Sequence, residues 1–200
     1  NTESSAASDV YKRQGRIWAW GFDWSNIFTE VEDTTPYRRV DGNLYLQRVI
    51  SGHWFGMANG TAQRNDELGL ALRLSGALSL GYYLVQSSRH ELQVTAGLSQ
   101  NREWSTEEDQ IEDNIEAPLR LDYRLYRYDS PTTELRVRGG YMPSLTSKRY
   151  RFDADISGRQ EIVSDLFVEL KYYISYDSVP PAGATSKKDS GITFGIGWSK

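Results

Sequence analysis

Leu166-Phe167-Val168-Glu169-Leu170-Lys171-Tyr172-Tyr173-Ile174-Ser175-Tyr176, with its continuation Ile192-Thr193-Phe194-Gly195-Ile196-Gly197-Trp198-Ser199, decides the fold. Every second residue of the first run is apolar or aromatic: Leu166, Val168, Leu170, Tyr172, Ile174 and Tyr176. The residues between them, apart from Phe167, carry polar atoms: Glu169, Lys171, Tyr173 and Ser175. The second run repeats this with Ile192, Phe194, Ile196 and Trp198 against Thr193, Gly195, Gly197 and Ser199. A period of two places alternate residues on opposite faces of an extended chain, so the two runs read as a two-sided hairpin.

A half-buried soluble sheet alternates in the same way. Two features tip the balance towards a membrane barrel. Charged groups sit in mid-strand on the polar face, and the apolar face ends in Tyr and Trp. Outer-membrane barrels have this arrangement, with lipid outside, a polar interior and aromatic residues at the interfaces.

The 200-residue chain suits one domain, and its net charge is −4 with no cysteine, so no disulfide framework exists. No run approaches the roughly 18 apolar residues of a membrane helix, so any crossing is made by strands. Half-polar barrel strands are compatible with the mean hydropathy of −0.60. Ser4-Ser5-Ala6-Ala7-Ser8-Asp9-Val10-Tyr11-Lys12-Arg13-Gln14 resembles a translated sequencing-library adapter. Residues 1–14 are therefore set aside as adapter-derived or disordered, in an open reading frame from environmental DNA. The barrel domain is expected over 15–200, with a secretory signal and further strands lost before Gly15.

Alternation recurs along the chain. Trp18, Trp20, Phe22 and Trp24 share one face of the first strand, and Thr29 to Pro36 reads as an acidic loop. A strand through Val40–Gln47 turns near Ser51-Gly52, and a weaker one spans His53 to Thr61 before a turn at Arg64-Asn65-Asp66. Leu68, Leu70, Leu72 and Leu74 are expected on one face, continuing through Leu78, Leu80, Tyr82 and Leu84. Leu92 to Ser99 follows, and the acid-rich stretch Thr106 to Glu116 reads as a solvated loop without the spacing of a calcium site. Strands through Leu119–Tyr126, Glu134–Tyr141 and Tyr150–Ser157 complete a set of about ten with the final hairpin. Short connections near Ser51, Ser88, Ser130 and Val163 alternate with long ones near Glu30, Asp109 and Val179. That is the signature of an up-and-down meander with short periplasmic turns and long outer loops.

The polar faces hold Arg73, Arg120, Asp122, Arg124, Glu134, Arg136, Arg138, Arg151, Asp153, Asp155, Glu169 and Lys171. Both signs on neighbouring strands predict cross-strand ion pairs. In a barrel of about ten strands such long side chains fill a narrow lumen, which favours a structural network over a conduction path. Lipid is expected to meet Trp18, Trp20, Leu166, Leu170, Ile174, Phe194, Ile196 and Trp198. His53 and His90 belong to no metal-spaced cluster or nucleophile elbow, although His90-Glu91 beside Ser87 and Ser88 carries the elements of a Ser/His/acid hydrolase. No phosphate loop or basic nucleic-acid stripe is present, and no cofactor or metal is expected.

Tyr150-Arg151-Phe152-Asp153-Ala154-Asp155, the run Leu166 to Tyr176, Asp177-Ser178-Val179-Pro180-Pro181, and Asp189-Ser190-Gly191-Ile192 up to Gly197-Trp198 together resemble the YdiY-like family, a domain of unknown function also called salt-induced outer-membrane protein. Asn65-Asp66, Leu70 to Arg73, Gly81-Tyr82 and Gly97 to Glu103 are similar to it in order and spacing. The Tyr-Asp-Ser-x-Pro-Pro connection into an Asp-led final strand is the most specific part. The family's opening strand is not visible here, and the chain ends Trp198-Ser199-Lys200 where a terminal aromatic is expected as an assembly signal, so that either Trp198 takes that role or the fragment is clipped. The resemblance implies an outer-membrane β-barrel with no catalytic residues to carry over.

The expectation is thus an all-β, antiparallel up-and-down transmembrane barrel of about ten strands, and of twelve if two were lost upstream. It is a non-enzymatic protein of a Gram-negative outer membrane, with an envelope or salt-stress role. Its partners are outer-membrane lipid and the barrel-assembly machinery, with no nucleic acid and an oligomeric state the sequence leaves open. The alternatives are a lipid-modifying barrel enzyme, a narrow small-solute pore and a soluble ligand-binding barrel.

Overall fold

A computed structural model describes residues 17–29, 37–106, 111–129, 131–163, 166–181 and 184–198. These form the strands β1 (Trp18–Thr29), β2 (Tyr37–Ser51), β3 (Trp54–Asn65), β4 (Leu70–Gln86), β5 (His90–Ser105), β6 (Ile111–Glu116), β7 (Leu119–Arg127), β8 (Thr133–Pro143), β9 (Tyr150–Val163), β10 (Leu166–Asp177) and β11 (Lys188–Trp198). Residues 1–14 and the acidic connection at 30–36 lie outside the described residues.

Each strand pairs antiparallel with the next, in the order β1-β2-β3-β4-β5-β7-β8-β9-β10-β11. The β6 strand pairs with β5 at Ser99↔Glu116 and Trp104↔Ile111, and β7 pairs with β5 at His90↔Leu125 and Ala96↔Leu119. The register is the same in both segments. The β6 and β7 strands are therefore one strand interrupted at Ala117-Pro118, where Gly97 N–H donates to the Pro118 carbonyl at 3.1 Å. Proline cannot donate to a ladder and marks such a break. The result is the ten-stranded antiparallel meander that the alternation predicted, curled into a half-barrel that is consistent with an up-and-down β-barrel. Among the described residues its edge strands β1 and β11 do not pair with each other.

Burial is inverted relative to a water-soluble sheet. Among the described residues, sixteen buried side chains are polar or charged against seven hydrophobic ones, while Trp20, Leu78, Leu170, Ile192, Phe194 and Ile196 all stand exposed. Soluble proteins rarely bury Arg, Glu and Asp or expose so continuous an apolar surface. The convex face is greasy and the concave face ionic.

Three local readings need correction. Leu68 and Leu70 are buried, whereas Leu72 and Leu74 face outwards. The register shifts between Leu70 and Leu72, and this extra residue rotates Leu70 onto the other face. Arg64 and Asn65 belong to β3, so the turn is Asp66–Gly69, with Gly69 at φ 64. The stretch 106–116 is not all loop: Ile111–Glu116 is strand, with Asn114 and Glu116 buried.

Glycines allow close approach across the strands. A Cβ on Gly81 would strike the ring of Phe55, which is wholly buried, and one on Gly197 would strike Phe167. Direct neighbours in register, these pairs let an aromatic ring lie flat over its partner strand.

Candidate functional site

The loops at 66–69 and 144–149 and the described parts of the β10–β11 connection, 178–181 and 184–187, lie at one end of the meander, and there the concave face closes on itself through charged side chains. Arg73 donates from Nε to Glu103 Oε1 at 2.7 Å and from Nη2 to Asp177 Oδ2 at 3.3 Å. Arg149, from the loop before β9, donates from Nε to Asp177 Oδ1 at 2.8 Å and lies 2.8 Å from Glu103 Oε2 through Nη2. Arg151 meets Glu116 through two parallel bonds of 2.7 and 2.6 Å. Three guanidinium groups thus face three carboxylates, all buried. Such pairs offset their desolvation only with good geometry and hydrogen bonding, which Arg151–Glu116 and Arg149–Asp177 have through two bonds each, while Glu103 Oε2 and Arg149 Nη1 engage only as ion pairs.

A second cluster joins the two ends of the sheet. Asp189 at the start of β11 accepts from Arg39 of β2 and from Asn65 of β3, each at 2.7 Å. The Arg39 guanidinium also lies 4.5 Å from the centre of the Tyr173 ring. Backbone contacts reinforce this closure: the Thr185 and Ser186 N–H groups donate to the Glu67 carbonyl at 3.1 and 3.4 Å, tying the β10–β11 connection to the β3–β4 turn.

Glu67 lies in that turn, and burial together with the neighbouring Asp189 carboxylate pushes its carboxyl above the ordinary value. A raised folded-state value means that the group stabilises the closure when protonated. The contribution is complete below the unfolded carboxyl range of about 4.3 and is lost as pH rises through the folded value. Glu67→Gln is expected to raise the urea midpoint relative to wild type at neutral pH. The two proteins should converge towards pH 4, and an equal difference at both pH values would refute the coupling.

Below the clusters lies a cavity of about 740 Å³ with two unlike walls. Strands β2 to β5 contribute mainly neutral groups, among them Asn43, Asn59, Thr61, Ser75, Thr95 and Ser99. The wall from β7 to β10 carries the charges anticipated from the alternation. Arg136 pairs with Asp122 at 2.6 Å, Arg138 with Asp155 at 3.0 Å, and Arg124 lies 3.3 Å from Asp122. Arg73 and Arg151 belong to the buried cluster at the loop end. Among the described residues Arg120, Glu134, Asp153, Glu169 and Lys171 line the cavity without a hydrogen bond or ion pair from their side chains.

Of the side chains expected to meet lipid, Trp18, Trp20, Leu170, Phe194, Ile196 and Trp198 are exposed, and Leu166 and Ile174 are half-buried. Sequence reasoning missed the anions of the buried clusters, Glu103, Glu116, Asp177 and Asp189, and the cations Arg39 and Arg149. A signal existed for two of them. Asp177 and Asp189 bracket the Tyr-Asp-Ser-x-Pro-Pro connection that carried the family resemblance.

The hydrolase elements do not assemble. The Ser87 hydroxyl accepts from the His90 backbone N–H at 2.9 Å, and the His90 ring meets the Tyr123 hydroxyl at 2.9 Å instead. Glu91 is buried on the opposite face of β5.

A ten-stranded antiparallel meander with an apolar convex face and an ionic concave face defines an up-and-down β-barrel protein. Within that class the chain belongs to DUF481, described as a protein of unknown function, whose family pattern it matches over residues 1–199. This is the YdiY-like outer-membrane barrel family that the C-terminal motifs resembled. No curated protein and no solved structure matches the chain.

Proposed function

We propose that the chain is a non-enzymatic outer-membrane barrel of a Gram-negative bacterium, with an envelope or salt-stress role and a lumen shut at its outer end by the Arg73–Glu103–Arg149–Asp177 cluster. The inverted burial pattern carries this reading. Exposed Trp, Leu and Phe on the convex face are costly in water and favourable against acyl chains, at about 25 cal/mol per Å². In this reading Trp18, Trp20, Leu166, Leu170, Ile174, Phe194, Ile196 and Trp198 contact outer-membrane lipid, and barrel-assembly machinery inserts the chain. The long connections, including 178–187, face outwards and the short turns face the periplasm.

The test is solubility. The protein is expected to stay monodisperse only in detergent micelles and to migrate faster on gels before boiling than after it, the mobility shift of a folded barrel. A monodisperse folded monomer without detergent would establish the soluble-barrel alternative instead.

A further inference from the structure

We propose that the cavity binds a small zwitterion of the α-amino-acid type, its carboxylate on Arg120 and its ammonium on Asp153. These residues occupy one rung of the sheet, in the register Arg120↔Gly140↔Asp153. With no side chain at Gly140, the Arg120 stem crosses that strand, its Cγ lying 3.5 Å from the site a Cβ would occupy. Asp153 is exposed on the cavity wall.

Opposite charges within reach of each other in a protein normally close into a pair, since the attraction at 4 Å is about 4 kcal/mol at an effective dielectric constant of 20. Arg120 and Asp153 attract each other across the rung, yet among the described residues neither side chain makes a hydrogen bond or an ion pair within 4 Å. The other charges around Arg120 are mostly committed, Glu116 to Arg151 and Arg138 to Asp155. One cation and one anion of the same rung therefore line the cavity without a close partner, the complement of a molecule carrying both charges a few atoms apart.

Two further observations agree. Nine basic and eight acidic side chains line the cavity, so a ligand with little net charge fits it better than an ion. Elsewhere on the cavity lining Asn101 is wholly buried with neither amide atom partnered, and Asn59, 8% exposed, has an unpartnered Oδ1. Buried amides of this kind call for hydrogen-bonding partners within the cavity. The volume lies within the range of about 300–1,000 Å³ typical of small-ligand sites. None of this depends on the membrane reading.

Equilibrium dialysis of the full chain, in micelles or in buffer as its solubility dictates, against L-serine, L-lactate and ethanolamine separates the possibilities. L-serine is expected to be retained, with L-lactate and ethanolamine each held more than about tenfold more weakly, because each leaves one charged group unsatisfied. Arg120→Gln and Asp153→Asn should each weaken L-serine by a similar factor, and Arg102→Gln on the convex face should not. Asp153 is exposed and unpartnered, so its variant keeps the fold even if the Arg120 variant does not. Equal retention of L-serine and L-lactate, no retention of L-serine, or unchanged binding by folded Asp153→Asn would each overturn the assignment.

Discussion

Asp177→Asn is expected to destabilise the folded protein by about 3–5 kcal/mol, the cost of leaving buried cations without their counter-charge. Asp177 is 1% exposed, accepts from both Arg149 and Arg73, and also takes the Val179 N–H at 3.1 Å at the start of the β10–β11 connection. One substitution therefore leaves Arg73 and Arg149 to share Glu103 as their one buried carboxylate and loosens the connection that closes the concave face. Glu112→Gln is the control. Its carboxylate approaches Arg149 at 3.6 Å but is 60% exposed, so its loss should cost less than about 1 kcal/mol. Arg149→Leu combined with Asp177→Leu removes one charge of each sign and leaves Arg73 on Glu103, so most of the loss should be recovered. Urea unfolding read by tryptophan fluorescence measures all three, and equal midpoints for Asp177→Asn and Glu112→Gln would refute a cooperative cluster.

The meander was legible because a period of two is a local property. Leu166 to Tyr176 and Ile192 to Trp198 show it without reference to any other part of the chain, as do Trp18 to Trp24. A repeat cannot show a single inserted residue, which is why Leu70 was assigned to the wrong face. Nor does it survive a stretch where both faces are polar. In β6, Ile111 and Ile115 mark the convex side, but Glu112, Asp113, Asn114 and Glu116 obscure them, and the segment read as solvated loop.

The ionic clusters were hidden for a different reason. Alternation tells which face a residue occupies, whereas a partner is fixed by depth and register between distant strands. Arg73 and Asp177 are 104 residues apart, and Arg39 and Asp189 are 150 apart. Asp122 with Arg136 and Arg138 with Asp155 were easier to anticipate, because they lie on adjacent strands. The sequence therefore indicated a charged interior, but not that its most buried pairs gather at the loop end above an open cavity.

That uneven distribution predicts how the protein behaves in a planar bilayer. Wild type is expected to give no stepwise single-channel conductance, because the Arg73–Glu103–Arg149–Asp177 cluster fills the loop end with side chains that are all less than 10% exposed. Arg136→Ala should be equally silent. Arg136 lines the cavity and is 29% exposed, so shortening it widens a space that is already open. Arg149→Ala combined with Glu103→Ala keeps the charge balance, with Arg73 left to Asp177 and Arg151 to Glu116, while removing two long side chains from the constriction. This double variant should conduct small ions in discrete steps, since conduction needs a continuous polar path that the cavity already supplies below. If wild type conducts as the double variant does, the cluster is no barrier. If Arg136→Ala alone opens the channel, the constriction lies in the cavity, and the lumen is narrowest where the structure leaves it widest.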